Sequence, residues 1–263
     1  MTLQILISCV NQDVRNLPEK MNLECDAVIV NQCDSNGYEE FDYEGHHIQV
    51  YHMSDRGVGL SRNTVLLHSS ADIVLFSDED IVYREGYAKQ ILDVFEKRPK
   101  ADILFFNVEV IPERTTYFTE AEKEVRWYNS GRYPAYSIAV RRERLLVKNV
   151  WYSLLFGGGA KYSNGEDSFF IWECLKKGLK AYALPVLIGK EEARPSTWFN
   201  GYNEKFFYDR GVLYKVLYGM MAKPFAVRFL WKNKDAMFAN KEENKISMKE
   251  AYSLMKKGMA EME

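Results

Sequence analysis

The sequence DIVLFSDEDIVY, residues 72–83, places three acids directly after a short apolar run. The run is rich in Ile and Val, which is typical of a buried strand. In sheets whose strands are mostly parallel, ligands bind beyond the carboxyl ends of the strands. Asp78, Glu79 and Asp80 lie at such an end. The stretch therefore predicts a strand of an α/β sheet and a ligand site at the edge of that sheet.

Segments of strand and helix character alternate along the chain. Further strands are predicted at LQILISCV (3–10), DAVIV (26–30), HHIQVYH (46–52) and DILFFNVEV (102–110). Helices are predicted at NTVLLHSS (63–70), GYAKQILDVFEKR (86–98) and EDSFFIWECLKKG (166–178). This alternation indicates an α/β fold with a mostly parallel central sheet flanked by helices, in which DIVLF is the fourth strand.

Composition narrows the class of protein. The chain has 263 residues and a formal net charge of -2, so it lacks the basic surplus expected of a protein that binds nucleic acid. Its four cysteines show no paired spacing, which favours reduced thiols. No apolar run reaches the roughly 18 residues of a membrane-spanning helix, and MTLQILISCV lacks the features of a signal peptide. We therefore expect a cytoplasmic protein.

The composition of the chain changes near Pro195, after which it becomes aromatic and basic. We predict a catalytic domain over residues 1–195 and a helical C-terminal extension over residues 196–263 that packs on the same domain. The basic, aromatic segment 204–234 has three interpretations, which the sequence leaves open. It binds a membrane surface at the inner face of the cell membrane, it covers the core as a helix pair, or it forms the face of a homodimer.

The acids after the strand suit a divalent metal ion. In an extended segment, residues i and i+2 project to the same side, so Asp78 and Asp80 would converge while Glu79 points away. Mg²⁺ or Mn²⁺ is commonly held by one or two carboxylates and completed by water and substrate phosphates. The alternative is a solvated acidic turn without a ligand.

The segment GVGLSRNTVLLHSSADIVLFSDED (57–80) resembles the family 2 glycosyltransferases, which have the GT-A fold. The resemblance continues in FGGGAKYSNGEDSFFIWECLKKGLKAYALP (156–185) and covers roughly residues 3 to 190. It implies a nucleotide-sugar half at about 1–82 and an acceptor half at about 83–195. The stretch STWFNGYNEKFFYDRG (196–211) resembles bacterial members associated with surface polysaccharide synthesis.

The resemblance implies transfer of a sugar, with inversion, from a nucleotide donor such as a UDP-sugar to a hydroxyl of a glycan or lipid-linked acceptor. It implies that Mn²⁺ or Mg²⁺, held by Asp78 and Asp80, stabilises the leaving diphosphate. The implied donor-binding residues in this region are Gly57, Arg62, Asn63, Asp78 and Glu79. Relatives contact the nucleobase through an Asp-Asp-Gly-Ser turn, and the matching residues here are Asn31, Gln32 and Asp34.

Asp167 is the implied general base, with Glu166 as its neighbour. An ordinary aspartate has a pKa near ~3.9, so burial or a nearby acid must raise the pKa of Asp167 for this role. Both acids also fit a simple helix start, capped by Ser163 or Asn164. Gly158, Gly159 and Trp198 are the predicted acceptor-binding residues, with packing in the core as the alternative for Trp198.

Two other functions compete with glycosyl transfer. Asp78-Glu79-Asp80-Ile81-Val82 fits the acidic loop of haloacid dehalogenase-like phosphatases, although that loop follows the first strand of its domain. A transferase-like protein that binds a nucleotide sugar or glycan without turnover is the second alternative.

Overall fold

The computed structural model describes residues 1–112, 115–192, 201–238 and 246–262. The strands in these ranges are β1 (Leu3–Val10), β2 (Asp26–Gln32), β3 (Gly37–Tyr43), β4 (His46–Met53), β5 (Ile73–Asp78), β6 (Ile81–Tyr83), β7 (Ile103–Glu109), β8 (Lys123–Val125), β9 (Ile138–Arg141) and β10 (Ala181–Glu191). The helices are α1 (Leu17–Met21), α2 (Val58–His68), α3 (Tyr87–Glu96), α4 (Arg142–Val147), α5 (Glu166–Lys176), α6 (Glu204–Tyr218), α7 (Ala222–Lys232), α8 (Lys234–Phe238) and α9 (Met248–Ala260).

One sheet organises the described strands in the order β3-β4-β2-β1-β5-β9-β7-β10-β6, with β8 paired to β10. Strands β4, β2, β1 and β5 are mutually parallel, and β7 and β10 run in the same direction as these four. The predicted α/β sheet is therefore confirmed. The sheet is mixed because β9 lies antiparallel between β5 and β7, and because β3, β6 and β8 are also antiparallel to their neighbours.

All five predicted strands and all three predicted helices are present. Helix α2 begins at Val58, five residues before the predicted start, so it includes the Arg-Asn pair. Strand β3 was not predicted because GYEEFDY lies at the edge of the sheet and lacks the apolar run of a buried strand. DIVLF is consequently the fifth strand and not the fourth.

The buried strand β1 separates two apolar layers, one on each face of the sheet. Ile5 and Ile7 belong to the layer that contains residues of α1 and α3, whereas Leu6 belongs to the opposite layer. Residues of α2 and α5 contribute to that opposite layer, for example Val65 and Phe170. Because these two helices cover the same face of the sheet, the predicted donor and acceptor motifs lie on one side of it.

The C-terminal helices form a further apolar cluster beside the sheet. Helix α6 packs antiparallel on α9, and the two backbones approach closely at Gly211 and Gly258. A Cβ at Gly211 would overlap the Met255 carbonyl, and one at Gly258 would overlap the Tyr208 carbonyl. The helical character of this part is confirmed, while the predicted boundary at 195/196 lies outside the described residues.

Helix α6 also joins this cluster to the rest of the molecule. Val212 and Leu213 pack with Phe156 and Tyr162, which flank the glycine-rich segment before α5. Of the helices in the described ranges, none is long and apolar enough to cross a membrane.

We predict that Gly258→Ala destabilises the protein. Alanine is the better helix former by about 1 kcal/mol, so without a packing constraint the substitution would stabilise α9. Here the added methyl group overlaps the Tyr208 carbonyl, and we expect a loss of about 1–3 kcal/mol in the free energy of unfolding. Urea denaturation measures this free energy.

Gly37→Ala is the matched control, because a Cβ there would lie 3.8 Å from the nearest atom of His52 and would meet no backbone atom. A Gly258→Ala protein that is as stable as the parent, or more stable, would contradict the close approach of α6 and α9.

Candidate active site

A buried arginine joins the separate acidic motifs. Arg62 lies in α2, and its side chain is only 5% exposed. Its Nη1 donates to Asp167 Oδ1 at 2.7 Å, and its Nη2 donates to Asp78 Oδ1 at 3.2 Å. Nη1 also lies 3.6 Å from Glu166 Oε1. The structure therefore brings together the predicted Arg, the first acid of the Asp-x-Asp triplet and the Glu-Asp pair.

An aromatic ring packs against the guanidinium of Arg62. The guanidinium carbon lies 5.2 Å from the centre of the Tyr152 ring, which itself stacks on Phe170. Asn63 holds this segment, because its amide donates to the Tyr152 carbonyl at 2.9 Å and accepts from the Tyr152 N–H at 2.8 Å. Asn63 thus positions Tyr152 under Arg62, and the sequence offered no signal for this role of Tyr152.

Asp167 is held from two sides. Arg62 contacts its Oδ1, and the Ala135 N–H donates to its Oδ2 at 3.0 Å. Burial is the main cause that raises the pKa of Asp167 to about 7; Arg62 opposes the rise, while the nearby Glu166 and Asp78 add to it. The pKa shift that the sequence required for a base is therefore present.

The simpler interpretation of Glu166 and Asp167 as a helix start is incomplete. The N-cap of α5 is Gly165, and no side chain caps this helix. Ser163, one of the two predicted caps, donates instead from its N–H and its hydroxyl to Asp209, each at 2.7 Å. Since Asp167 bonds to two other segments of the chain, its contacts extend beyond its own helix.

The charges around Arg62 do not balance. When ionised, Asp78, Glu166 and Asp167 place three negative charges around one guanidinium, which leaves an excess of two. This excess opposes ionisation of Asp167. Burial by itself lowers the pKa of Arg62, but the three acids together outweigh it and raise that pKa. Such an excess of negative charge favours the binding of a proton or a cation.

The acidic triplet itself differs from the prediction. Strand β5 ends at Asp78, and Glu79 and Asp80 form the turn that leads into β6. The expectation that Asp78 and Asp80 project from one extended segment is therefore wrong, because the backbone turns between them. Glu79 and Asp80 are buried, and the Asp80 carbonyl accepts from the Glu192 N–H at 2.7 Å. Within the described ranges, no three acidic, His or Cys side chains are grouped to hold a metal ion.

The predicted acceptor loop lies directly against the predicted donor loop. The Val58 N–H, at the start of α2, donates to the Gly158 carbonyl at 3.0 Å. Gly159 approaches Gly57 so closely that a Cβ would lie 3.1 Å from the Gly57 Cα. Gly157 has a φ of +105°, and a Cβ on it would lie 3.0 Å from the Glu166 carboxylate. Glycine is needed here because the loop passes between α2 and Glu166.

The three predicted nucleobase contacts lie in different environments. The Asn31 amide accepts from the Gln12 N–H at 3.1 Å and donates to the Gln12 carbonyl at 3.0 Å. The Gln32 side chain accepts from the Gly57 N–H at 2.7 Å. Asn31 and Gln32 thus order two neighbouring loops, whereas the side chain of Asp34 is 98% exposed and accepts from Arg56 at 3.0 Å. Trp198, a predicted acceptor contact, lies outside the described residues.

The C-terminal helices support the loop that precedes α5. Asp209 of α6 is buried and accepts from Ser163, and also from Lys205 at 2.6 Å. Glu261 follows α9 and accepts from Lys161 Nζ at 2.6 Å and from the Tyr162 hydroxyl at 2.9 Å. The contacts from this loop to Asp209 and Glu261 connect residues about 46 to 100 positions apart, so no local sequence signal indicates them.

We predict that Arg62→Gln destabilises the protein in a pH-dependent way. Removal of the guanidinium leaves Asp78, Glu166 and Asp167 close together without a counter-charge, and we expect a loss of about 3 kcal/mol at pH 8. The loss should shrink towards pH 5, because Asp167, whose pKa is raised to about 7, is then protonated and the repulsion among the acids falls. Urea denaturation at both pH values measures the effect.

The control is Arg98→Gln, which breaks the surface ion pair with Glu122 and should cost at most about 1 kcal/mol. If the deficit of Arg62→Gln were the same at both pH values, Arg62 would not act as the counter-charge of these acids.

Comparisons with known proteins indicate the same family as the sequence motifs that meet at this site. A family model described as glycosyl transferase family 2 matches residues 4–148. S. aureus TarS 1-349 in complex with UDP-GlcNAc matches with a TM-score of 0.64 and 16% identity, covering 95% of this chain and 77% of that chain. A further structure of S. aureus TarS 1-349 gives a TM-score of 0.63 and 14% identity, covering 100% of this chain and 82% of that chain.

At these identities the TarS structures show the fold alone, and they agree with the predicted GT-A fold. No match was found among curated protein sequences. The family model spans more than half of the chain and includes Arg62 and the acidic triplet. The chain therefore belongs to glycosyl transferase family 2.

Proposed function

We propose that the protein transfers a sugar, with inversion, from a UDP-sugar to a hydroxyl of a glycan or lipid-linked acceptor in the synthesis of a cell-surface polysaccharide. The observation that carries this proposal is the contact of one buried guanidinium with Asp78 on the donor side and Asp167 on the acceptor side. Family membership supports the reaction class. The structural likeness to S. aureus TarS in complex with UDP-GlcNAc supports the donor class.

The charge around Asp78 supports binding of the donor diphosphate through Mn²⁺ or Mg²⁺. Asp78 uses Oδ1 for Arg62 and keeps about 30% of its side chain exposed, and carboxylate oxygens are the ligands that these ions prefer. We assign Asp78 as the residue that would hold the ion, with the rest of its ligands from water and phosphate, because Asp80 lies in the buried turn that follows β5. When bound, the ion stabilises the negative charge of the leaving diphosphate.

Asp167 would accept the proton of the acceptor hydroxyl. Each of its oxygens takes one hydrogen bond from the protein and retains a lone pair that can bind a proton. A pKa of about 7 matches this role, because a base near the working pH is both ionised and able to bind a proton. Arg62 and the Ala135 N–H fix the orientation of the carboxylate, and Glu166 helps to raise its pKa.

We predict that the transfer rate rises with pH and levels off above about pH 7, because only ionised Asp167 accepts a proton. The same pKa shift predicts that stability falls as pH rises from about 4 to 7, since the folded protein binds a proton that the unfolded chain has released. Asp167→Asn should abolish transfer, retain UDP binding and remove this contribution to the pH dependence of stability. Rates, calorimetry with UDP and urea denaturation measure the three effects.

Asp235→Asn, at an exposed acid of α8, is the control and should leave transfer unchanged. An active Asp167→Asn enzyme would overturn the assignment of the base.

We predict that Asp78→Asn weakens UDP binding in the presence of Mn²⁺ by at least about 10-fold. The substitution removes a charged ligand of the proposed ion and leaves Arg62 with two of its three acids. Calorimetry with UDP, with Mn²⁺ and with a chelator, measures the change without any need for turnover. Equal affinity of the parent protein under both conditions would contradict a metal-bridged diphosphate.

The reaction itself is tested by incubating the protein with a panel of nucleotide sugars and hydroxyl acceptors, followed by mass spectrometry of the products. Release of nucleoside diphosphate that requires an acceptor supports transfer. Tight binding of UDP without turnover across a broad panel would favour the non-catalytic alternative. The phosphatase alternative has no support, because the acidic turn follows the fifth strand and the chain belongs to a glycosyltransferase family.

A further inference from the structure

Helix α7 presents an unusual solvent-facing side. Its buried residues Ala222, Ala226 and Leu230 face the C-terminal cluster. The opposite side carries exposed apolar residues at spacings of three and four, which places them in one stripe along the helix. We call these residues the apolar stripe: Pro224, Val227 and Trp231 of α7, and Met220 of the short turn that precedes the helix. The exposed fractions of Met220 (98%), Val227 (52%) and Trp231 (70%) show that the rest of the described chain leaves the stripe uncovered.

Basic residues lie on both sides of the stripe. At 100° per residue, Lys223 falls on one flank, and Arg228 and Lys232 fall on the other. All three are exposed. From Arg210 to Lys234 the sequence contains six basic residues and no acidic residue. The stripe is therefore an apolar band with positive charge on both of its sides.

The flank of α7 that carries Arg228 and Lys232 adjoins the acceptor side of the proposed site. Trp127 lies 5.9 Å from the ring of Phe225 in α7 and packs edge-on against Tyr128, and both residues are about half exposed. The chain then runs through Gly131, where a Cβ would contact Ser168 of α5, to Ala135, whose N–H holds Asp167. A ligand on this surface would lie beside the acceptor half of the site.

We propose that the apolar stripe and its basic flanks bind the surface of a bilayer that contains anionic lipids. Trp and Met side chains enter the interface between headgroups and acyl chains, while Lys and Arg contact the negative headgroups. A second copy of the chain fits less well, because a two-fold contact would place Lys223, Arg228 and Lys232 of one copy against a surface of the same charge. This inference deepens the proposed function by placing a lipid-linked acceptor beside Asp167. It rests on the proposed function only for the identity of that acceptor.

The test is co-flotation of the full chain, without nucleotide, with vesicles of phosphatidylcholine alone and vesicles that also contain phosphatidylglycerol. We expect binding to the anionic vesicles that weakens as salt is raised, because the headgroup contacts are electrostatic. Each basic residue near an anionic surface contributes about fivefold in affinity, so Lys223→Gln with Arg228→Gln should weaken binding about 25-fold. Val227→Ser with Trp231→Ser should weaken it by at least about 10-fold.

The matched control is Val147→Ser with Lys148→Gln, an exposed apolar and basic pair on α4 and its C-cap that should not change binding. Equal binding of the parent to neutral and anionic vesicles, or to neither, would overturn the proposal. So would a dimer, seen by sedimentation, that Val227→Ser with Trp231→Ser dissociates. Calorimetry with UDP on each variant, without vesicles, measures donor binding separately from vesicle binding. A loss of membrane binding is therefore distinguished from a loss of the transfer site.

Discussion

The candidate active site depends on one buried cation. Arg62 has almost no access to water, and a buried guanidinium is tolerated only when carboxylates compensate for the lost hydration. Asp78, Glu166 and Asp167 provide that compensation, and they come from two elements that are far apart in the sequence. The same interaction that allows Arg62 to be buried therefore fixes the distance between Asp78, the proposed donor-side acid, and Asp167, the proposed base.

The surrounding structure keeps these groups in place. Helices α2 and α5 pack on one face of the sheet, so their N-terminal turns meet near the end of β5. The loop of residues 157–159 fits between them because glycines permit the close approach and, at Gly157 and Gly159, a positive φ. The C-terminal helices add the buried Asp209, which holds Ser163 just before α5. The extension is thus part of the support of the site and does more than cover the core.

The excess of negative charge around Arg62 affects both the pKa of Asp167 and the kind of ion that the site can bind. Burial beside two other acids, and against the opposing effect of Arg62, gives Asp167 a pKa at which it can exchange a proton near neutral pH. The same excess suits a cation beside a diphosphate. In the proposed reaction, proton acceptance and departure of the diphosphate occur at opposite ends of this cluster, so Arg62 would couple the two ends electrostatically. The basic flanks of α7 lie on the proposed acceptor side, where their positive charge would suit anionic lipid.

The sequence by itself determined the α/β class, the strands β1, β2, β4, β5 and β7, the helices that carry the motifs and most of the residues that meet at the site, because apolar periodicity and short motifs are local signals. It missed β3, whose exposed edge position needs no apolar run, and the strands β6, β8 and β9, which are only three or four residues long. It also wrongly treated Asp78 to Asp80 as extended. Only the tertiary structure decided that Asn63 supports Tyr152, that Asn31 and Gln32 order loops, and that Asp209 holds Ser163. These are contacts between side chains and distant backbone, and such contacts follow from packing and not from local order along the chain.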